Sequence, residues 1–199
     1  MNKQLLVDVR PFDISRKKIN ESIKENDGRL VVKGVLQRAE SKNQNGRVYP
    51  REVLLKEVAK YLENQVTERR ALGELDHPES SVVNLNNASH NIIEMHWDGD
   101  DLIGTVEVLD TPKGQILEKL INRDIKLGIS SRGLGSTSRT NEGYDMVEDD
   151  FSLVCYDMVS NPSTSGAYMN LQESVEYRTL ISQNRIVLLD EILNDILDL

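Results

Sequence analysis

The amino-acid sequence predicts a mainly β protein with flanking helices, an α+β fold. Two observations support this prediction: short β-branched runs separated by turn residues, and longer stretches whose apolar residues share one helical face. The chain has 199 residues, which is enough to bury a core without crosslinks. Its one cysteine, Cys155, cannot form an internal disulfide bond and indicates a reducing, intracellular setting.

The predicted elements follow one another through short turns. A strand over residues 30–36 follows an Asp-Gly turn, and Pro50 then stands where a helix begins, with one apolar face that runs to residue 66. The Ser-, Asn- and Pro-rich stretch that starts at Ala71 predicts a long loop with a strand edge. The remaining elements are predicted as strands over 90–97, 101–110 and 125–129, a helix that starts at Thr111-Pro112, and a hairpin over 144–147 and 151–159.

The end of the chain has a different character. Polar residues 174–185 lead into a strongly apolar helical stripe formed by Ile186, Leu189, Leu193 and Ile196. Such a helix either packs on the core or binds a partner helix, and periodicity does not separate these two interpretations.

Charge and hydropathy argue against two classes of partner. With 24 Lys and Arg against 33 Asp and Glu, the net charge of −9 argues against nucleic acid, which needs a basic surface. No apolar run approaches the length of about 18 residues that a membrane-spanning helix requires. We therefore expect a soluble chain with neither a nucleic-acid nor a membrane partner.

Three groups of residues have the composition of a reactive site. The first is His77 in the turn GELDHP, where glycine and proline restrict the backbone around the imidazole. A metal site built from His77, His90 and Glu74 is one alternative, but the spacing matches no familiar ligand pair and we expect no metal. The competing interpretation is that His90 is a half-buried residue of a strand and not a metal ligand.

The second and third groups lie later in the chain. In GISSRG, residues 128–133, a strand ends in Ser130 and Ser131, and small residues there suit a nucleophile beside an oxyanion site. An ordinary strand-to-loop turn is the competing interpretation. Asp157 lies within the apolar run 154–159, where a carboxylate is costly to bury unless it is paired. It either orients a histidine or points to solvent.

Together these stretches resemble a known family. ALGELDHP, GISSRGLGS about fifty residues later, the earlier NGRVYPREVL and the later NEGY closely resemble the prohead core protein proteases of T-even-type tailed bacteriophages. The similar stretches occur in the right order from about residue 30 to residue 168. That family is similar to the herpesvirus assemblin proteases, which are serine peptidases. The resemblance implies a closed antiparallel β-barrel surrounded by helices, and an enzyme without a cofactor.

The resemblance also implies a base and a nucleophile. His77 is the implied general base, and Ser130 is the implied nucleophile because it takes the family's position in GxSSRG. Ser131 remains the rival, since it forms Ser-x-Gly with Gly133. Adjacent residues of a strand point to opposite faces, so only one of the two serines can meet His77.

The other site residues are assigned in the same way. Asp157 matches the third catalytic member by its place on the strand after the nucleophile, with Glu74 or His90 as alternatives. The backbone amides of Arg132 and Gly133 are the implied oxyanion donors, with assistance from the Arg132 side chain.

The implied function is a protease that cuts scaffold and major capsid proteins inside the immature head, in the host cytoplasm. Family members cut after Glu in Leu/Ile-x-Glu sequences. Eight such sequences occur here, and the two that stand out by their context end at Glu173 and Glu191. We expect self-cleavage after Glu173 to separate a protease domain, residues 1–173, from residues 174–199, a linker and amphipathic helix that tethers the enzyme to the scaffold. Whether the chain forms a homo-oligomer stays open. The alternative function is a non-catalytic scaffold or assembly protein with the same barrel.

Overall fold

A computed structural model describes residues 4–12, 23, 24, 26, 28–123, 125, 127–160 and 169–171. Strands dominate this part of the chain, and helices flank them, so the predicted α+β class is confirmed. Glu173, Glu191 and the predicted C-terminal helix lie outside the described residues.

The predicted elements occur in the predicted order with adjusted bounds, and the strands over Gln4–Phe12, Arg47–Val48, Thr137–Arg139 and Met169–Leu171 were not predicted. The strands are β1 (Gln4–Phe12), β2 (Val31–Arg38), β3 (Arg47–Val48), β4 (Leu72–Glu74), β5 (Ala88–Asp98), β6 (Asp101–Val108), β7 (Leu127–Gly135), β8 (Thr137–Arg139), β9 (Asp145–Val147), β10 (Ser152–Val159) and β11 (Met169–Leu171). The α-helices are α1 (Arg51–Tyr61), which continues as a π-helical turn over Leu62–Val66, and α2 (Pro112–Ile121). Neither these nor any other helix of the described part is long and apolar enough to cross a membrane.

The largest sheet has the strand order β11-β2-β6-β5-β4. Its apolar side chains, among them Val32, Ile92 and Val106, are fully buried in one cluster. Leu54 of α1 and Leu117 of α2 belong to the same cluster, so the apolar faces predicted for both helices pack into the core. Thr111 begins α2 as predicted, because its hydroxyl accepts the Gly114 N–H at 3.0 Å.

A second sheet has the order β1-β7-β10, with β7 in the centre and antiparallel to both neighbours. The two serines of GISSRG therefore lie in the middle of a strand, whereas the sequence predicted them at a strand end. Gly133, which the sequence suggested as a turn residue, serves close packing instead. A Cβ atom there would lie 2.4 Å from the ring of Phe151.

The predicted hairpin over 144–147 and 151–159 is wrong. β9 belongs to a small third sheet of order β3-β9-β8, whereas β10 pairs with β7. The turn between them is held by Asp150, whose carboxylate accepts hydrogen bonds from the amide and the hydroxyl of Ser136. These bonds direct the chain from one sheet into the other.

The expectation of a closed barrel is also wrong for the described strands, which form three separate sheets. One isolated parallel β-bridge, between Leu75 and Met158, joins the described strands of the two larger sheets. β4 is too short to extend this contact into a ladder, because its last amide, that of Glu74, donates to the Asp157 carboxylate. The chain then turns away at Asp76, whose φ of 72° is left-handed.

Gly73 allows β4 to approach β10 closely. A Cβ atom at this position would lie 2.0 Å from the Tyr156 carbonyl oxygen and 2.2 Å from His90 Nε2. We expect Gly73→Ala to lower the free energy of unfolding by about 3 kcal/mol, because a backbone oxygen cannot move aside as a flexible side chain can. Urea denaturation measures this loss.

Gly135→Ala is the matched control in the second sheet, where the added Cβ would come no closer than 3.0 Å to any heavy atom. We expect this variant to lose clearly less free energy of unfolding than Gly73→Ala. An equal decrease in the two variants would contradict the close approach of β4 to β10.

Candidate active site

Asp157 is a fully buried carboxylate in β10. Its Oδ2 lies 2.8 Å from His77 Nδ1 and 3.0 Å from Arg132 Nε, and its Oδ1 accepts the Glu74 N–H at 3.0 Å. Burial alone would raise the pKa of Asp157, but the hydrogen bonds that the carboxylate accepts and the nearby guanidinium hold the pKa below its ordinary value. Asp157 is therefore ionised at neutral pH, and it does not point to solvent.

His77 lies in residues 75–84, which connect β4 to a 3-10 turn and which we call the His77 loop. The N–H of Asp76 donates to the Met158 carbonyl oxygen at 2.8 Å, which ties the residue before His77 to β10. The Asp76 carboxylate also accepts the His77 N–H at 3.0 Å, and aspartate tolerates the left-handed conformation found there. Local backbone bonds thus direct His77 toward Asp157.

Arg132 in β7 is a buried cation that contacts both sides of the site. Its Nη2 lies 2.7 Å from Glu74 Oε1 and 3.2 Å from Asp157 Oδ1, while its Nη1 donates to the Ser80 carbonyl oxygen at 2.9 Å. Burial alone would lower the pKa of Arg132, but the bond to Glu74 and the nearby carboxylate of Asp157 raise it. The guanidinium is occupied by these contacts, so they do not support the expected assistance of the Arg132 side chain to an oxyanion.

The register of β7 against β10 separates the two serines. Ser130 pairs with Asp157, and Ser131 pairs with Tyr156. Residues directly opposite each other in antiparallel strands share a face, so Ser130 lies on the face where Asp157 meets His77. Ser131 lies on the other face, with Tyr156 and the hydrophobic core.

Several buried polar atoms of the site have no hydrogen-bond partner within the described part of the chain. They include His77 Nε2, Ser130 Oγ, Ser131 Oγ and Glu74 Oε2. An unsatisfied buried group costs about 1–3 kcal/mol, so each such atom in a native fold calls for an explanation. With Nδ1 bonded to Asp157, His77 keeps Nε2 as its remaining proton acceptor, on the face that carries the Ser130 hydroxyl.

His90 has contacts other than those of a third catalytic member. Its Nε2 lies 2.9 Å from the Tyr156 carbonyl oxygen and its Nδ1 lies 2.9 Å from the Ser89 hydroxyl. Nε2 carries the proton, because a carbonyl oxygen only accepts. Burial lowers the pKa of His90 to about 4, so the ring is neutral at pH 7. His90 supports the strand that holds Asp157.

Glu74, the other alternative, contacts Arg132 and the N–H of Asn84, and no described hydrogen bond joins it to His77. The metal alternative has no geometric support, since no group of three or more His, Cys, Asp or Glu side chains in the described residues is arranged to hold a metal ion. The hydrogen bonds of the described residues therefore join His77 to Asp157 and Glu74 to Arg132, whereas none joins the Ser130 hydroxyl to His77.

Cys155 completes the surroundings of Asp157. Its thiol donates to Asp157 Oδ1 at 3.3 Å and accepts from Arg132 Nε at 3.2 Å. Burial, together with the charge of Asp157, raises the pKa of the Cys155 thiol well above its ordinary value. Cys155 is a neutral hydrogen-bond donor, without the thiolate that a cysteine nucleophile needs.

Arg132 and Gly133 lie opposite an irregularity in β10. The pairing shifts by one residue between Leu153 and Cys155, which is a β-bulge. A bulge disrupts the ladder locally, and bulges are over-represented next to active sites. Consecutive amides of a strand point to opposite sides, so one of these two amides lies beside the bulge and the other faces β1, where the pairing is regular.

The sequence did not predict the ion pair between Arg132 and Glu74. A signal was present, because each is a lone charge in a strand segment of small or apolar residues, LGE and SSRG, and buried charges need a partner. Joining the two residues, which are 58 positions apart, required the sheet register.

The chain is similar to known proteins over most of its length. Residues 6–179 match the sequence profile of a family described as prohead core protein serine protease. The prohead core protein protease of Enterobacteria phage T4 is 39% identical over 153 residues, which cover 75% of this chain and 72% of the relative. The solved structure of the bacteriophage T4 capsid assembly protease matches with a TM-score of 0.68 and 30% identity, over 81% of this chain and 100% of that one.

Proposed function

Because the chain belongs to the prohead core protein serine protease family, we propose that it is a serine endopeptidase that processes scaffold and capsid proteins as a phage head matures. The observation that carries this proposal is the 2.8 Å contact between His77 Nδ1 and the buried Asp157 carboxylate, on the face that carries Ser130. In this arrangement His77 is the general base, Ser130 the nucleophile and Asp157 the acid that orients the imidazole.

The reaction follows from the positions of these groups. His77 Nε2 takes the proton of the Ser130 hydroxyl as the oxygen attacks a peptide carbonyl carbon. The Asp157 carboxylate accepts a hydrogen bond from the His77 Nδ1–H group and stabilises the imidazolium that forms. The imidazolium then protonates the leaving amine, which gives an acyl-enzyme on Ser130, and a water activated by His77 hydrolyses the acyl-enzyme.

The oxyanion of the tetrahedral intermediate needs donors near Ser130. The backbone amides of Arg132 and Gly133 are our candidates from the resemblance of GISSRG to the family, and the one of them that faces β10 lies beside the bulge between Leu153 and Cys155. Donors held in a strand are fixed before the reaction, so stabilising the new charge requires little reorganisation.

The substrates are proposed from the relatives. Those relatives are named as a prohead core protein protease and a capsid assembly protease. By this similarity we expect the chain to act inside the immature head in the host cytoplasm, on scaffold and major capsid proteins, after Glu in Leu/Ile-x-Glu sequences.

The choice of nucleophile is tested by substitution. We expect Ser130→Ala, His77→Ala and Asp157→Asn each to lower kcat/KM by about 10⁴-fold, because each removes one member of a unit that acts together. The measurement is cleavage of a purified scaffold protein, with a peptide that contains one Leu-x-Glu sequence for kinetics.

Ser131→Ala is the matched control, since it removes a neighbouring buried hydroxyl of the same strand. We expect it to keep cleavage within about tenfold of wild type, the change that 1.4 kcal/mol produces. If Ser131→Ala alone lost activity, Ser131 would be the nucleophile and Ser130 would not. Equal behaviour of all the variants and the wild type would favour the non-catalytic assembly protein.

We also propose self-cleavage after Glu173. Leu171, the first residue of the Leu-Gln-Glu sequence, is the last residue of β11, an edge strand of three residues paired with β2. A cut two residues later leaves β11 with residues 1–173 and releases residues 174–199. A strand this short has few hydrogen bonds to lose before its end can enter an active site.

Intact-mass analysis of the incubated full chain measures this cleavage. We expect a species that ends at Glu173 in the wild type, with Glu173→Gln shifting any cut to Glu191, and no cleavage in Ser130→Ala. An active wild-type protein that keeps residues 174–199 would rule out cleavage at Glu173.

A further inference from the structure

The ion pair between Arg132 and Glu74 is unusual in its burial. Both side chains are fully buried, and the two charged atoms lie 2.7 Å apart. Taking two charges out of water is costly, and a buried ion pair is often no more stabilising than apolar residues of similar volume. Stability alone is therefore a poor explanation for two charges at this place.

The contacts of Arg132 join the two halves of the candidate site. Towards β10, Nε and Nη2 meet the two oxygens of Asp157 at 3.0 and 3.2 Å, a two-nitrogen geometry that restricts how the carboxylate can rotate. Towards the His77 loop, Nη1 holds the Ser80 carbonyl oxygen at 2.9 Å. One guanidinium thus fixes both the carboxylate that binds His77 and the loop that carries His77.

Glu74 extends the same attachment to the end of the His77 loop. Its Oε1, which accepts from Arg132, also accepts the Asn84 N–H at 3.0 Å. Its own N–H donates to Asp157 Oδ1. The loop is therefore anchored near its middle by Arg132 and at its last residue by Glu74.

We propose that the Arg132–Glu74 ion pair is the positioning device of the catalytic site, which aligns Asp157 and the His77 loop without touching the substrate. This inference rests on the proposed serine protease function. The side chains of Arg132 and Glu74 act through Asp157 and His77, so their role is one of positioning.

Glu74→Gln is the mild test, because it keeps the side-chain shape and leaves Arg132 paired with Asp157. We expect kcat to fall about tenfold to a hundredfold, the range for residues that hold reacting groups, with KM nearly unchanged. Arg132→Lys keeps the charge but not the two-nitrogen contact with Asp157, and should also lower kcat with KM nearly unchanged.

Asp145→Asn is the matched control, since it removes one carboxylate from the exposed pair with Arg139. It should change neither kcat nor KM. A Glu74→Gln protein with wild-type kcat would overturn the inference. A Glu74→Gln protein without a cooperative unfolding transition would also overturn it, because the pair would then serve stability.

Proton NMR of the full chain separates failure of this inference from failure of the proposed function. The proton between His77 Nδ1 and Asp157 should give a downfield resonance that is absent in Asp157→Asn and is shifted or broadened in Glu74→Gln. If the wild type shows this dependence but no Ser130-dependent cleavage, the protease function fails and the positioning role stands. If cleavage depends on Ser130 but neither the resonance nor kcat depends on Glu74, only the positioning role fails.

Discussion

The hydrogen bond between Asp157 and His77 depends on a carboxylate that is fully buried and stays ionised. A buried charge is tolerated only when partners replace its lost hydration. The partners of Asp157 come from a loop, from the amide that ends β4 and from the guanidinium in β7. Satisfying one charge therefore brings together three segments that are distant in the sequence, and the candidate catalytic group forms as they meet.

This constraint explains why the two larger sheets do not join into a barrel. The amide of Glu74 is used by the Asp157 carboxylate, so it is not available to extend a ladder with β10. Beyond β4 the chain turns at Asp76, which has a left-handed conformation, and this turn places His77 in contact with Asp157. The site thus occupies the position where regular sheet pairing ends, and Gly73 permits the close approach that makes this possible.

The parts of the fold that could be predicted were those with a local cause. Helix α1 and strands β5 and β6 follow from side-chain periodicity, and the start of α2 follows from Thr111 and Pro112. Strand partners could not be predicted, because β9 and β10 look like a hairpin in sequence and only long-range pairing sends them to different sheets. The same limit applied to the site: motifs identified His77 and both serines, but separating Ser130 from Ser131 needed the register between β7 and β10.

The most direct test of Ser130, His77 and Asp157 as the catalytic group is a crystal structure of the full chain bound covalently to a peptidyl phosphonate that ends in Glu, which mimics the tetrahedral intermediate. We predict phosphorus bonded to Ser130 Oγ, His77 Nε2 within about 3 Å of the adduct, and Nδ1 still hydrogen-bonded to Asp157. An adduct on Ser131, or an adduct on Ser130 with His77 turned away from Asp157, would contradict it.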